Sequence, residues 1–246
     1  KLFVNVRPAR NYPGIKSRFD NVDILIFREN SEDLYIGKER MVDADTAEAI
    51  KIITRGASER VTRFAFDYMQ RTGRKKLTAV HKSNVLKLTD GLFLKSAEKI
   101  SKEYPAFGFD SRVIDALSME LVIKPDAFDC LVLPNLYGDI ISDLAAGLVG
   151  GLGVAPGANI GSDCAMFEAV HGSAPDIAGK DMANPMALIL SVVMMLRYIG
   201  EGKAADRIEA ALTAVLQDGK QVTRDLGGTT GTRGMTAAII AQLKKN

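Results

Sequence analysis

The sequence predicts an α/β fold whose sheet is covered on most of its surface, and three observations lead there. Short apolar runs, such as residues 22–28 (VDILIFR) and 130–134 (CLVLP), read as buried strands. Longer segments between them carry apolar residues at helical spacing. Strands and helices alternate along the chain, as they do when helices return the chain across a sheet.

Taken in order, residues 2–6 read as a strand that Arg7-Pro8 ends, and residues 22–28 as a second one. Residues 45–71 read as one or two helices, with Ile50, Ile53, Val61, Phe64, Ala65 and Tyr68 on a shared stripe. Gly73 punctuates the end, and Arg71, Arg74 and Lys75 suit a helix C-terminus. A strand over 77–81, a helix over 90–104 stopped by Pro105, a strand over 109–114 and a short helix over 116–124 follow. The strand 130–134 leads into a helix over 138–149. Six glycines between 147 and 161 suggest a crossover between lobes. Then come a loop over 165–183, an apolar helix over 185–199, an amphipathic helix over 203–217, a Gly/Thr loop over 227–234 and a terminal helix.

The 246 residues carry 32 Lys+Arg against 30 Asp+Glu, so no general electrostatic pull toward nucleic acid is expected. The apolar run 186–196 is too short to span a bilayer, so no membrane partner is expected. Cys130 and Cys164 make no disulfide framework or zinc motif, and a reducing compartment follows: cytoplasm, or mitochondrial matrix in a eukaryote. A buried-looking strand as the first element leads to the expectation that the chain belongs to a longer protein.

Several side chains have both a chemical and a structural reading. Asp139 and Asp143 stand at i and i+4, which puts two carboxylates on one helix face, where a hard cation such as Mg2+ or Mn2+ would relieve their repulsion. Equally, Asp139 can serve the helix N-terminus and Asp143 can be solvated. Asp115, before a short helix, has the same two readings. Arg7 and Arg28 end strands, where ligands gather in α/β sheets, and can clamp carboxylates or form ordinary ion pairs with Glu29 or Glu32. Lys82 follows a strand and can transfer protons or simply be solvated, and Tyr35 can be a general acid or a packing residue. Residues 167–179 are dense in small turn formers that let a backbone approach a ligand, yet no Gly-x-Gly-x-x-Gly or phosphate-loop pattern is present.

The order and wording of these segments resemble the decarboxylating dehydrogenases of the isocitrate/isopropylmalate dehydrogenase family, along essentially the whole chain. The matching words are NVRPAR (5–10), IFRENSEDLY (26–35), VHKSN (80–84), NLYGDIISD (135–143), GGLGVAPGANIG (150–161) and HGSAPDIAGKDMANP (171–185). The pattern is nearest to the NAD-dependent, isocitrate-oxidising branch. The resemblance implies a two-domain fold distinct from the common Rossmann dinucleotide fold. It implies residues 1–149 as the small domain, with a dimerisation arm near 34–55, and residues 150–246 as half of a large domain whose other half precedes this sequence. It also implies metal-dependent oxidative decarboxylation of isocitrate with NAD. Arg7, Arg28 and Asn84 would bind substrate, Tyr35 would protonate carbon, and Lys82 would transfer a proton across a subunit interface. Asp115, Asp139 and Asp143 would hold Mg2+ or Mn2+, with Asp115 from the partner of a homodimer or higher oligomer. Glu168, His171, Gly172, Ala174, Asp176, Ile177 and Asn184 would line the adenosine pocket. Asp176 would accept a hydrogen bond from the ribose 2′-hydroxyl and repel a 2′-phosphate. The family's glycine-containing first strand and Ser/Asn/Arg substrate segment precede NVRPAR and lie outside this sequence. Homoisocitrate or 3-isopropylmalate dehydrogenase, and a catalytically silent regulatory subunit, stand as alternatives.

Overall fold

The computed structural model describes residues 1–245. It is a mixed α/β structure with nine strands and seven α-helices among the described residues. The strands are β1 (Leu2–Arg10), β2 (Asp23–Glu29), β3 (Glu39–Met41), β4 (Ala47–Ala49), β5 (Lys76–His81), β6 (Gly108–Val113), β7 (Cys130–Leu133), β8 (Pro156–Gly161) and β9 (Ala165–Ala169). The helices are α1 (Arg55–Thr72), α2 (Thr89–Ser101), α3 (Ile114–Ile123), α4 (Asn135–Val149), α5 (Met186–Tyr198), α6 (Gly202–Asp218) and α7 (Thr232–Leu243). Hydrogen bonding orders the main sheet β6-β5-β7-β2-β1-β8-β9. Contacts divide the chain into two compact units: residues 1–6, 24–142 and 159–165 form one, and residues 7–23, 143–158 and 166–246 the other.

In the first unit, β6, β5, β7 and β2 run parallel, each joined to its neighbour in register. Their side chains are buried on both faces at Leu77, Ala79, Val80, Leu131, Val132 and Phe27, which explains continuous apolar runs in place of alternation. Helix α1 covers one face. Thr54 caps it by accepting a hydrogen bond from the Ala57 amide at 3.2 Å, and left-handed Gly73 ends it. Its Phe64 and Tyr68 meet the Phe27 ring edge-on at 6.1 and 5.5 Å between centroids.

Three expectations give way here. The helix expected from residue 45 begins at Arg55. Residues 47–49 instead pair antiparallel with 39–41 in a two-stranded ribbon exposed at every position. The stripe through Ile50 misled, because Ile50 is exposed and the cap lies further on, at Thr54. The first strand continues through Pro8 to Arg10, since proline removes an amide donor but allows extended backbone. The segments expected as crossover and loop hold β8 and β9, short strands that glycines and alternating polarity concealed.

In the second unit, α5, α6 and α7 pack through Leu190, Val193, Ala211, Leu212, Val215, Met235 and Ile239. The segment before β2 closes on α6 at Gly14, in the left-handed region at φ 92°. A Cβ there would lie 2.1 Å from the Leu216 carbonyl oxygen. Among the described residues no helix is long and apolar enough to cross a membrane.

Candidate active site

Parallel strands finish at one sheet edge, so the residues just beyond them share that edge. Two groups of candidate side chains in the first unit are assembled this way.

The first group forms where β2 and β7 end. Register pairs Arg28 with Leu133, and the chain turns at Pro134 into α4. Arg28 is buried. Its Nε donates to Asn135 Oδ1 at 2.8 Å, and its Nη1 forms a short ion pair with Asp139 on the next turn of the helix. The Tyr35 hydroxyl donates to the other Asp139 oxygen at 2.5 Å, and the Arg28 guanidinium carbon lies 4.7 Å from the Tyr35 ring centroid. The hydrogen bond to Asp139, with burial adding to it, raises the Tyr35 phenol above its ordinary pKa. Gly138 makes this approach feasible: a Cβ there would lie 2.5 Å from Arg28 Cγ and 3.2 Å from its Cα.

The second group forms where β5 and β6 end. His81 pairs with Val113, so Lys82 and Asp115 emerge side by side. Lys82 Nζ donates to Asp115 Oδ1 at 2.5 Å, and that ammonium holds the Asp115 carboxyl below the usual carboxylate range. His81 itself is buried and structural. Its Nδ1 faces the Ser83 amide at 3.1 Å, and burial lowers its pKa. Asn84 is exposed on the turn that follows.

Arg7 and Asp143 belong to the second unit, where they form an ion pair at 3.5 Å. Among the described residues no group of three or more Asp, Glu, His or Cys side chains is placed to hold a metal ion within one chain. Asp139 and Asp143 contribute two hard carboxylates from one helix, while Asp115 is engaged by Lys82.

The second unit also holds a pocket of about 680 Å³. Its lining includes His171, Gly172, Ala174, Ile177 and Asn184, all expected there. The lining omits two expected residues. Asp176 is exposed in the 3-10 turn Pro175–Ile177, and the carbonyl of Glu168 accepts from Ser191 Oγ at 2.8 Å. Sequence reasoning missed Arg224, Asp225 and Thr232, which also line it. Asn184 locks one wall: its Nδ2 donates to Asp225 Oδ2, and its Oδ1 accepts from the Met186 amide that opens α5, both at 2.9 Å. The 3-10 turn Arg224–Leu226 announces itself only by a Gly-Gly stop, which carries no ligand signal.

Arginine, tyrosine, lysine and carboxylate side chains thus stand at or just past the ends of the parallel strands, and the sequence carries no Gly-x-Gly-x-x-Gly turn of the common Rossmann type. The family model described as isocitrate/isopropylmalate dehydrogenase matches residues 1–240, and the chain belongs to that family. It is 51% identical over 243 residues to the mitochondrial isocitrate dehydrogenase [NAD] catalytic subunit 6 of Arabidopsis thaliana, covering 98% of this chain and 65% of that protein. It is 48% identical over 246 residues to a mitochondrial isocitrate dehydrogenase [NAD] regulatory subunit of Dictyostelium discoideum, covering 100% and 70%. The crystal structure of isocitrate dehydrogenase from Methylococcus capsulatus superposes with a TM-score of 0.96 at 52% identity, covering 99% of this chain and 74% of that one. The chain thus spans about two thirds of the length of these relatives.

Proposed function

We propose that the protein oxidatively decarboxylates isocitrate to 2-oxoglutarate with NAD as hydride acceptor. The observation that carries this reading is that one chain brings together Arg28, Tyr35 and Asp139 in one cluster and Lys82 and Asp115 in another, groups suited to acid–base work.

In this reading Arg28 and Arg7 bind substrate carboxylates, and Asn84 lies beside them in the assembled site. Asn135 holds the Arg28 fork in place, which lowers the entropy lost on binding. Lys82, as the neutral amine left when it gives up its own proton, takes the proton of the 2-hydroxyl as hydride leaves C2 for NAD. Loss of CO2 leaves an electron-rich carbon, and Tyr35 delivers a proton to it. One proton is released and one taken up, and the hydride reduces NAD. Each transfer is worth about 10²–10⁴-fold. Asp139 and Asp143, with Asp115 of a second copy, suit Mg2+ or Mn2+, which when bound polarises the carbonyl oxygen as a Lewis acid. The pocket of His171, Gly172, Ala174, Ile177 and Asn184 suits the adenosine of NAD, and Asp176, exposed next to Ile177 and outside the lining, would reach the ribose only once the cofactor is bound. In this reading, as the family resemblance implies, the active form is a homodimer or higher oligomer in which Lys82 and Asp115 complete the site of a second copy.

NADH formation by the full-length protein with Mn2+ tests this, offering isocitrate, homoisocitrate and 3-isopropylmalate with NAD or NADP. Isocitrate with NAD is expected to turn over fastest. Fastest turnover of another acid keeps the chemistry and moves the specificity. A second reading, a catalytically silent regulatory subunit, has behind it only the likeness to a relative named a regulatory subunit. Mn2+-dependent isocitrate binding without turnover would support it.

A further inference from the structure

A buried ion cluster in the first unit has no part in the chemistry above. Lys51 Nζ lies 2.7 Å from Asp90 Oδ1, 3.6 Å from Asp33 Oδ1 and 4.3 Å from the centroid of the Tyr137 ring. Both carboxylates are fully buried, and Asp33 Oδ1 accepts no hydrogen bond. Burial works against the Lys51 ammonium, but the hydrogen bond to Asp90 and the charges of Asp33 and Asp90 outweigh it and raise its pKa.

The far oxygens of the two carboxylates are what give the cluster meaning. Asp90 Oδ2 accepts from the Lys82 amide at 2.7 Å. Asp33 Oδ2 accepts from the Leu136 amide at 3.0 Å, in the first turn of α4, the helix that bears Asp139. Asp33 also sits at φ 73°, a costly conformation for a residue with a Cβ, and it opens the 3-10 turn that carries Tyr35. One cation therefore neutralises two buried anions, each of which fixes the backbone beside a different functional group.

We propose that Lys51 is a positioning residue that ties the Lys82 loop and the start of α4 to a single shared charge. The role rests on the functional reading given above. Without the ammonium, two buried carboxylates have no counter-charge, and each must protonate or turn outward. Either change loosens its amide partner. A buried ion cluster serving stability alone would lower the melting temperature and leave both amides and the kcat of the folded fraction unchanged.

The test uses the full-length protein as Lys51→Met, Lys51→Arg, and Lys51→Met combined with Asp33→Asn and Asp90→Asn. The triple variant buries no charge and keeps the fold if the single variant loses it. Hydrogen exchange is followed in peptides containing the Lys82 and Leu136 amides, together with kcat and KM for isocitrate. Lys51→Met, or the triple variant in its place, is expected to speed exchange at both amides by about tenfold or more. It should lower kcat by about 10²-fold while KM changes far less, and Lys51→Arg should recover part of both. Wild-type protection at both amides, or full kcat despite lost protection, would overturn the proposal. Wild-type protein that turns over no isocitrate would sink the functional reading instead, and the exchange data would still decide whether Lys51 holds the two amides.

Discussion

The Arg28–Tyr35–Asp139 group and the Lys82–Asp115 pair stand at the ends of the same parallel strands but are built differently. Arg28 keeps 7% of its side-chain surface and Asp139 35%, and each has more than one partner. Lys82 keeps 27% and Asp115 67%, joined by one ion pair that water and salt can screen. The first group is preorganised by its own fold. The second is open to solvent. The chain thus carries a rigid half and an open half at one sheet edge.

The most severe way to break this comparison is to disable each half in a different chain. Tyr35→Phe and Lys82→Met should each lower kcat by about 10²–10⁴-fold. If the halves serve each other across an interface, mixing the two inactive variants under exchange conditions restores about a quarter of wild-type activity, since half of randomly paired dimers hold one intact site. A mixture no more active than its parts would return both halves to one chain.

Arg28→Lys removes the planar fork that Asn135 and Asp139 hold. The KM for isocitrate should rise by about 10- to 100-fold, with kcat less affected. Gly138→Ala sharpens the contrast, because a single methyl must displace Arg28. A cost of about 1–3 kcal/mol in urea unfolding is expected, with a rise in KM. Asn84→Ala, on the exposed turn, should stay within about 0.5 kcal/mol by the same measurement.

One effect that should spare turnover altogether concerns the other end of these strands. Asp129 accepts from the Lys75 and Lys76 amides at 2.6 and 2.9 Å and pairs with Arg74. Burial would raise its pKa, but these partners outweigh it and hold the carboxyl below the usual range. A lowered folded-state pKa means that the contribution is present at neutral pH and is lost as pH falls through the folded value, below about pH 4. Asp129→Asn should cost about 1–2 kcal/mol at pH 7 and almost nothing near pH 2, read from urea midpoints, with kcat unchanged.

Sequence periodicity located the parallel strands because burial on both faces writes itself into runs such as DILIFRE and CLVL. Arg28, Lys82 and Asp115 were legible as candidates for a related reason: Arg28 lies at the end of such a run, and Lys82 and Asp115 follow β5 and β6 within two residues. Residues 45–53 were not legible. Exposed ribbon residues have no core to enforce a period, and Ile50 mimicked a helix stripe. The Lys51 cluster was equally hidden, because Asp33, Lys51 and Asp90 come from three distant segments. Asp33 reads as an ordinary surface carboxylate until the fold encloses it.

The register of β5 against β6 has a consequence for which changes the chain can accept. Lys82 and Asp115 meet only because His81 and Val113 are level across the two strands. Adding or deleting one residue within either strand would turn its side chains to the opposite face and swing one partner away. The connection between α2 and β6, residues 102–107, can lengthen without disturbing that alignment. Variation in length is thus free in that turn and forbidden in β5 and β6, although neither strand contains a residue that does chemistry.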